Sequence, residues 1–270
     1  MSDFLKKSLA PITPAAWQEI EAEARRTLKG NLSARAFVDL KGPLGWDCAA
    51  ISLGRTDLCE PRGKEGVNWG LRKSQALVEM RVPFELSQWE LDNADRGAAD
   101  VDVKPVADAA RKAAAFEEKL VYHGDPKAGI TGILAASGHP AVKIRKNAVD
   151  AVEAIENAVL ALQCEGIGGP YELVAGSHLH AALSTAHIDG NALLPRVAGL
   201  LRDGALLWSP SLDCGLVVSS RGGDYELALG QDFSIGYQHT QGDQVHLYLA
   251  ETLTFRVLEP AAAIALAFKA

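Results

Sequence analysis

The chain has 270 residues, 48% of them hydrophobic and 23% charged, and a formal net charge of -7. Its length is near the size at which one hydrophobic core divides into two, so two interleaved domains are expected; the acidic balance argues against nucleic acid as a partner, and no apolar run approaches the length that spans a membrane. Asp3, Lys6 and Lys7 put charge where a secretory signal would be apolar, which points to the cytoplasm, and Cys48, Cys59, Cys164 and Cys214 lack CxxC spacing, so buried free thiols are expected and no zinc or redox centre.

Phe4 and Leu5 sit on a short arm of the kind that docks on a neighbour or frays. A helix is predicted over residues 14–29: Thr13 suits the N-cap, Pro14 the first helical position, and Trp17, Ile20, Ala24 and Leu28 form an apolar stripe opposite Glu19, Glu23 and Arg26. Residues 35–40 read as a strand with Ala36, Val38 and Leu40 on one face and Arg35, Phe37 and Asp39 on the other. Arg35 and Asp39 are then a surface ion pair, or the polar rim of a groove for a partner peptide.

Extended stretches follow at 49–58 and 69–93, with Gly54, Pro61, Gly63 and Gly66 marking the turn before the chain returns through Trp69 and Leu71. In the second stretch Val78, Met80, Val82, Phe84 and Leu86 alternate with Glu79, Arg81, Pro83 and Glu85, the period of a half-buried strand. The pattern predicts a long two-stranded ribbon, which is marginal by itself in water. At about 1.5–3 kcal/mol per buried side chain, its apolar face could be covered by a neighbouring subunit. A hairpin folded onto its own domain would satisfy the same alternation.

Residues 92–103 are polar and turn-like, and a long helix is predicted over 104–122. Val103, Val106, Ala110, Ala113, Phe116 and Leu120 face inward, while Lys104, Asp108, Arg111, Lys112, Glu118 and Lys119 stay outside. A second strong helix is predicted over 147–163, with Ala148, Val152, Ile155, Val159 and Leu162 as its stripe and 166–170 as its stop. Helix and strand then alternate through 171–175, 216–219 and 225–229, an α+β pattern without a Rossmann or Walker glycine fingerprint. Residues 244–258 form one long strand, with Glu251 on its apolar face marking a bulge, and 260–270 return as a final strand or short helix.

Catalytic chemistry is sparse. His178 and His180 form an HxH pair, but a helical run beginning near Ser177 would make the two rings diverge, so no metal site is expected. Ser219 and Ser220 lack the GxSxG context of a nucleophile elbow, and His187, Asp189 and Gly190 read as a solvated loop before an acid/base cluster. No catalytic residue is assigned, and the chain is expected not to be an enzyme.

Several ordered blocks nevertheless form a specific signature: FLKKSLAPITPAAWQEIEAEA at 4–24, DLKGPLGW at 39–46, NWGLRKSQALVEM at 68–80, WELDN at 89–93 and RGGDYELALGQDFSIGY at 221–237. Together they resemble the encapsulin shell proteins, also called linocin-type bacteriocins, over nearly the whole chain. The resemblance implies the tailed-phage (Hong Kong phage type) major capsid protein fold. In that fold residues 1–48, 83–125 and 222–256 would form a peripheral domain, 49–82 an extended loop, and 126–221 with 257–270 an axial domain. Copies would close into an icosahedral nanocompartment through heterologous contacts.

The resemblance further implies a cargo enzyme as partner, a peroxidase or a ferritin-like protein, whose short apolar C-terminal targeting peptide docks on the inner wall. The matching positions are Leu28, Leu32, Arg35, Asp39, Ile235 and Leu249. His187, Ile188, Asp189, Gly190 and Asn191 align with the five-fold pore loop, although they depart from the family pattern in length and residues. Trp69, Leu71, Val78, Met80, Val82 and Phe84 would make the inter-subunit contact of the extended loop. Trp89 is expected at a subunit contact, with an exposed platform for a stacked flavin as its other reading; no other cofactor is implied. A phage-type capsid subunit shares the fold, and a secreted bacteriocin or protease is the third class, disfavoured by the missing signal and catalytic set.

Overall fold

The computed structural model describes residues 4–59, 68–145, 147–188 and 191–269. In chain order they form α1 (Pro14–Lys29), β1 (Asp39–Lys41), β2 (Ala50–Leu58), β3 (Gly70–Ala76), β4 (Val78–Ser87), α2 (Gln88–Asp95) and α3 (Lys104–Tyr122). There follow β5 (Gly124–Asp125), β6 (Ile130–Thr131), α4 (Ile133–Ala136), β7 (Val142–Ile144), α5 (Ala148–Cys164), β8 (Tyr171–Ala175), α6 (Ser177–Thr185), β9 (His187–Ile188), β10 (Asn191–Ala192) and α7 (Leu193–Leu201). Five strands complete the chain: β11 (Leu206–Trp208), β12 (Gly215–Ser219), β13 (Tyr225–Gln241), β14 (Gln244–Val257) and β15 (Ala263–Phe268).

Local chemistry accounts for the main helices. Thr13 is extended and its hydroxyl accepts from the Ala16 amide at 3.3 Å, with Pro14 at the first helical position, so α1 starts where its donors are satisfied. Asn147 caps α5 in the same way, accepting from the Asp150 amide at 2.8 Å. On α3, Val106, Ala110, Ala113 and Ala114 bury a face made mostly of small side chains, which lets the helix lie close on the sheet below it.

Two sheets carry the two cores. The first has the order β1-β13-β14-β4, with β1 parallel to β13 and the other pairs antiparallel. Met80, Phe84, Leu86, Ile235, Leu247 and Leu249 from this sheet form one cluster with Ile20 and Leu28 of α1 and the small face of α3. The second sheet, β11-β8-β12-β15-β7, packs with α5, α6 and α7 around Ile155, Leu162, Leu173, Leu216 and Ile264. That larger cluster also takes in Tyr225 and Phe255 from the first sheet, Tyr122 from the end of α3 and Phe37 from the turn before β1.

The predicted ribbon is shorter than expected. β2 pairs antiparallel with β3, whereas β4 leaves the ribbon and pairs with β14 along its length, Val78 opposite Leu253 and Ser87 opposite Gln244. Met80 and Phe84 are therefore buried in the chain's own core, and Val78 and Val82 pack half-buried against it. These residues do not present an apolar face to a neighbouring copy. Period-2 alternation specifies that one face is buried without naming what covers it; Val245, Leu247 and Leu249 of β14 extend that face, and α1 and α3 cover it. Trp69 and Leu71, with Leu58, remain exposed on the ribbon. Its base is tied down where the Gln75 side chain donates to Thr254 Oγ1 at 3.0 Å and to the Phe255 carbonyl at 2.7 Å.

Other local expectations change as well. Residues 35–40 are not one strand: a 3-10 turn at Ala34–Ala36 precedes β1, with Phe37 and Val38 both buried and Leu40 exposed. Residues 88–95, read as extended and then turn-like, form α2. Glu118, expected outside, is buried. The bulge expected at Glu251 lies in the facing strand: the β13–β14 register shifts between Gln231 and Ser234, opposite Glu251, so Asp232 and Phe233 share one level of β14. Gly230 precedes it, and a Cβ there would overlap Thr252 Oγ1 and the Leu77 side chain. All four cysteines are free, but only Cys214 is buried; Cys48 and Cys59 are half-buried and Cys164 is exposed.

Candidate partner-binding groove

A groove of about 690 Å³ opens between α1 and the bulged part of the first sheet. Its apolar wall is Leu28, Leu32, Phe233, Ile235 and Leu249, and its rim carries Lys7, Glu21, Arg25, Lys29, Arg35 and Asp232. Each wall residue has a local reason to be there. Ala24 and Leu28 stand one turn apart on the buried face of α1. The helix ends at Gly30, where the Gly30 amide donates to the Arg26 carbonyl and Asn31 Nδ2 to the Thr27 carbonyl at 2.7 Å, which turns Leu32 back towards the sheet. Ile235 and Leu249 are register partners across β13 and β14. The N-terminal arm docks on its own chain: Tyr237 donates its amide to the Leu5 carbonyl at 2.8 Å, Leu5 and Lys7 line one end of the groove, and Lys7 pairs with Glu21.

Of the six residues expected at a peptide site, the groove gathers five: Leu28, Leu32, Arg35, Ile235 and Leu249. Asp39 is elsewhere. Its carboxylate accepts from the Gly223 amide at 2.6 Å, so it closes a loop beside β13 and does not pair with Arg35.

Arg35 is held by carboxylates distant in sequence. Its guanidinium donates to both Glu117 oxygens at 2.9 and 2.5 Å, to Asp232 at 3.0 Å and to Glu251 at 2.7 Å, and lies over the Phe233 ring at 4.9 Å. The Glu117 and Glu251 side chains are 0% exposed and that of Arg35 is 17% exposed. Burial alone would lower the Arg35 pKa, but the hydrogen bonds and charge of Glu117 outweigh it and the net shift is upward, so the guanidinium stays charged. Burial first, and then the adjacent Glu117 charge, push Glu251 well above the ordinary carboxylate range. Its Oε2 has no acceptor role to play, being buried without a donor. The upward shift favours the neutral form of Glu251 beside the Glu117 carboxylate.

A second network holds the turn that carries Arg35. Glu118 accepts from the Ala34 amide at 2.8 Å, from Ser33 Oγ at 2.5 Å and from Ser209 Oγ at 2.7 Å, and Ser33 Oγ lies 2.6 Å from the Tyr122 hydroxyl. Burial raises the Glu118 pKa against those hydrogen bonds. Sequence reasoning missed Glu117, Asp232 and Phe233. The available signals were two adjacent glutamates interrupting the α3 stripe and the broken alternation of 231–234.

The remaining candidate residues lie apart from the groove. His187 and Ile188 pair with Ala192 and Asn191 in a small hairpin, while Asp189 and Gly190 lie outside the described residues. Trp89 is 68% exposed on α2. His178 and His180 stand on α6, and among the described residues no three His, Cys, Asp or Glu side chains converge at metal-ligand spacing. No helix among the described residues is long and apolar enough to cross a membrane.

Comparison with known proteins places this architecture. Residues 1–254 match the family described as "Encapsulating protein for peroxidase" (Linocin_M18). A type 1 encapsulin shell protein of Rhodospirillum rubrum is 43% identical over 98% of this chain and 96% of its own length, and one of Mycobacterium tuberculosis is 39% identical over 97% and 98%. Among solved structures, the virus-like particle of Pyrococcus furiosus superposes with a TM-score of 0.64 at 16% identity, covering 93% of this chain and 98% of that one. The capsid of Myoviridae phage XM1 gives 0.58 at 11%, covering 87% and 90%. Those structural likenesses establish the tailed-phage capsid fold, and the match along the chain establishes the lineage: this protein belongs to the encapsulin family and is a subunit of a self-assembling shell.

Proposed function

We propose that the shell is an icosahedral compartment of the cytoplasm that encloses a cargo enzyme, and that the groove between α1 and β13–β14 receives the cargo's short apolar C-terminal tail. The observation that carries this reading is the gathering of Leu28, Leu32, Ile235 and Leu249 around one groove of about 690 Å³. An extended peptide sets alternate side chains into such a trough, and the polar rim orients it. A peroxidase is the first cargo to test, because the matched family is described as encapsulating one; a ferritin-like protein is the second. The chain itself acts as wall and receptor without catalysis. We further assign Trp69 and Leu71 of the ribbon to contacts between copies, and the paired strands β9 and β10 to the five-fold pore.

The test uses a fluorescent protein fused to the C-terminal tail of a candidate cargo and co-expressed with the shell. Leu32 is half-buried, so Leu32→Glu leaves the core intact while charging the groove. Shells of the wild-type size that have lost most of their fluorescence are expected. Loading equal to wild type in intact Leu32→Glu shells would move the tail's docking place away from this groove.

A further inference from the structure

We propose that the cross-strand pair His239 and His246, beside the turn that joins β13 to β14, binds a divalent transition-metal ion of the imidazole-preferring kind, Cu²⁺, Ni²⁺ or Zn²⁺. The two residues are direct register partners, and their rings stack at 4.3 Å between centroids and 4° between planes. A bulge creates the pairing. Tyr237 faces Leu247, so an unbroken ladder would set Gln238 opposite His246; the register shift between Tyr237 and His239 brings the second imidazole there instead. Bulges are a recurrent means of re-aiming a side chain next to a site.

The pair lies on the outer side of the sheet. Val245 and Leu247 on either side of His246 are buried, which puts His246 on the opposite face, half-buried beside the exposed His239. Glu85 of β4 is the register partner of His246, so it is next in the same cross-strand row and adds a negative charge to that face. Side chains directly opposite across an antiparallel pair have Cβ atoms about 4.5–5.5 Å apart. Two imidazole nitrogens bonded to one ion at about 2.0–2.1 Å lie roughly 3.3 Å apart in tetrahedral geometry. In the stack the ring nitrogens' lone pairs run parallel, so chelation requires both rings to turn out of the stack by tens of degrees, a rotation that χ2, a soft torsion in histidine, allows. Two nitrogens come from the protein and water fills the remaining positions, in keeping with the lack of a third converging ligand among the described residues. Imidazole pairs of this kind follow the ordinary metal order, with Cu²⁺ bound most tightly. Ring stacking alone, with no role for metal, is the competing account of the same contact.

The experiment uses assembled shells stripped of metal with a chelator. Cu²⁺ titration followed by electron paramagnetic resonance is expected to saturate at one ion per subunit with coupling to two imidazole nitrogens, and Zn²⁺ to compete for the same site. His239→Asn and His246→Asn should each weaken binding at least tenfold, while His178→Asn, on α6, should leave it unchanged. Should either variant fail to assemble, wild-type shells answer the question: exchange of the ring C2 hydrogens of His239 and His246 should slow on adding Zn²⁺. Copper binding undiminished in both assembled variants, or ring exchange at both histidines unaffected by saturating Zn²⁺, overturns the proposal.

Discussion

Arg35→Ala removes the side chain that bridges Glu117, Glu251 and Asp232, and the structure sets the size of the effect. Glu117 is 0% exposed and loses a forked contact at 2.9 and 2.5 Å. Removing one partner of a buried ion pair typically costs about 3–5 kcal/mol, because the other charge stays desolvated. Glu251→Gln is the matched control. Burial and Glu117 push the Glu251 pKa up and so favour its neutral form, and a neutral side chain of the same shape keeps an oxygen for the contact with Arg35 and should cost under ~1 kcal/mol. Guanidinium-induced unfolding of disassembled subunits, followed by tryptophan fluorescence, would measure both. A loss below ~1 kcal/mol for Arg35→Ala, or a larger loss for Glu251→Gln than for Arg35→Ala, would refute the assignment of charge within the cluster. Arg35→Glu is expected to be worse than Arg35→Ala, since it sets another carboxylate among the existing ones. Lost cargo loading in that variant would report unfolding and not groove chemistry.

Three further outcomes are expected. Glu251 has a folded-state pKa raised above its ordinary value of 4.5, so its contribution is fully present below about that pH and is lost as pH rises towards the folded value; denaturation midpoints of Glu251→Gln should therefore gain on wild type as pH increases from 4.5 to 8. Deleting residues 57–71 to a short turn should leave subunits with wild-type far-ultraviolet circular dichroism but change or abolish shell closure in electron micrographs, because the exposed Leu58, Trp69 and Leu71 go with the ribbon; shells of unchanged diameter would show that the ribbon takes no part in closure. Thr13→Ala removes the oxygen that accepts from the Ala16 amide and should cost ~1 kcal/mol in the same unfolding assay.

Long periodic segments were legible in the chain. The α1, α3 and α5 helices carry stripes several turns long, with side-chain caps at the starts of α1 and α5 and a proline in the first turn of α3, and β14 alternates over most of its length, so each appears close to where its pattern puts it. What could not be read was pairing. The alternation of Val78 to Leu86 fits β14 of its own sheet as well as it fits a neighbour, and only the three-dimensional register decides between them. Arg35 looked like the partner of Asp39, four residues away, yet its carboxylates are 82, 197 and 216 positions distant. No local rule links such residues. The groove was legible for a different reason: five of its residues came from family resemblance, while Phe233, on a bulge that breaks the strand period, carried no periodic signal.

Two apolar surfaces of the subunit, the ribbon and the groove, differ in how they are supported, and that difference separates their roles. The ribbon is two strands with exposed Leu58, Trp69 and Leu71 and is anchored chiefly at its base through Gln75. A structure of that kind gains order only from what covers it, so its conformation and the closure of the shell should form together. The groove instead has walls fixed before any partner arrives: Leu28, Ile235 and Leu249 belong to a packed core, and the Arg35 cluster pins the bulge that carries Asp232 and Phe233. A tail entering it need not order the receptor, so its affinity should track the apolar surface it buries and fall little with temperature-induced loosening of the shell contacts. It follows that subunits kept unassembled by deletion of the ribbon should still bind the tail peptide, with an affinity close to that of the assembled wall. Fluorescence anisotropy of a labelled peptide against the ribbon-deleted subunit measures this directly, and loss of binding there would mean that the groove is completed only by a neighbouring copy.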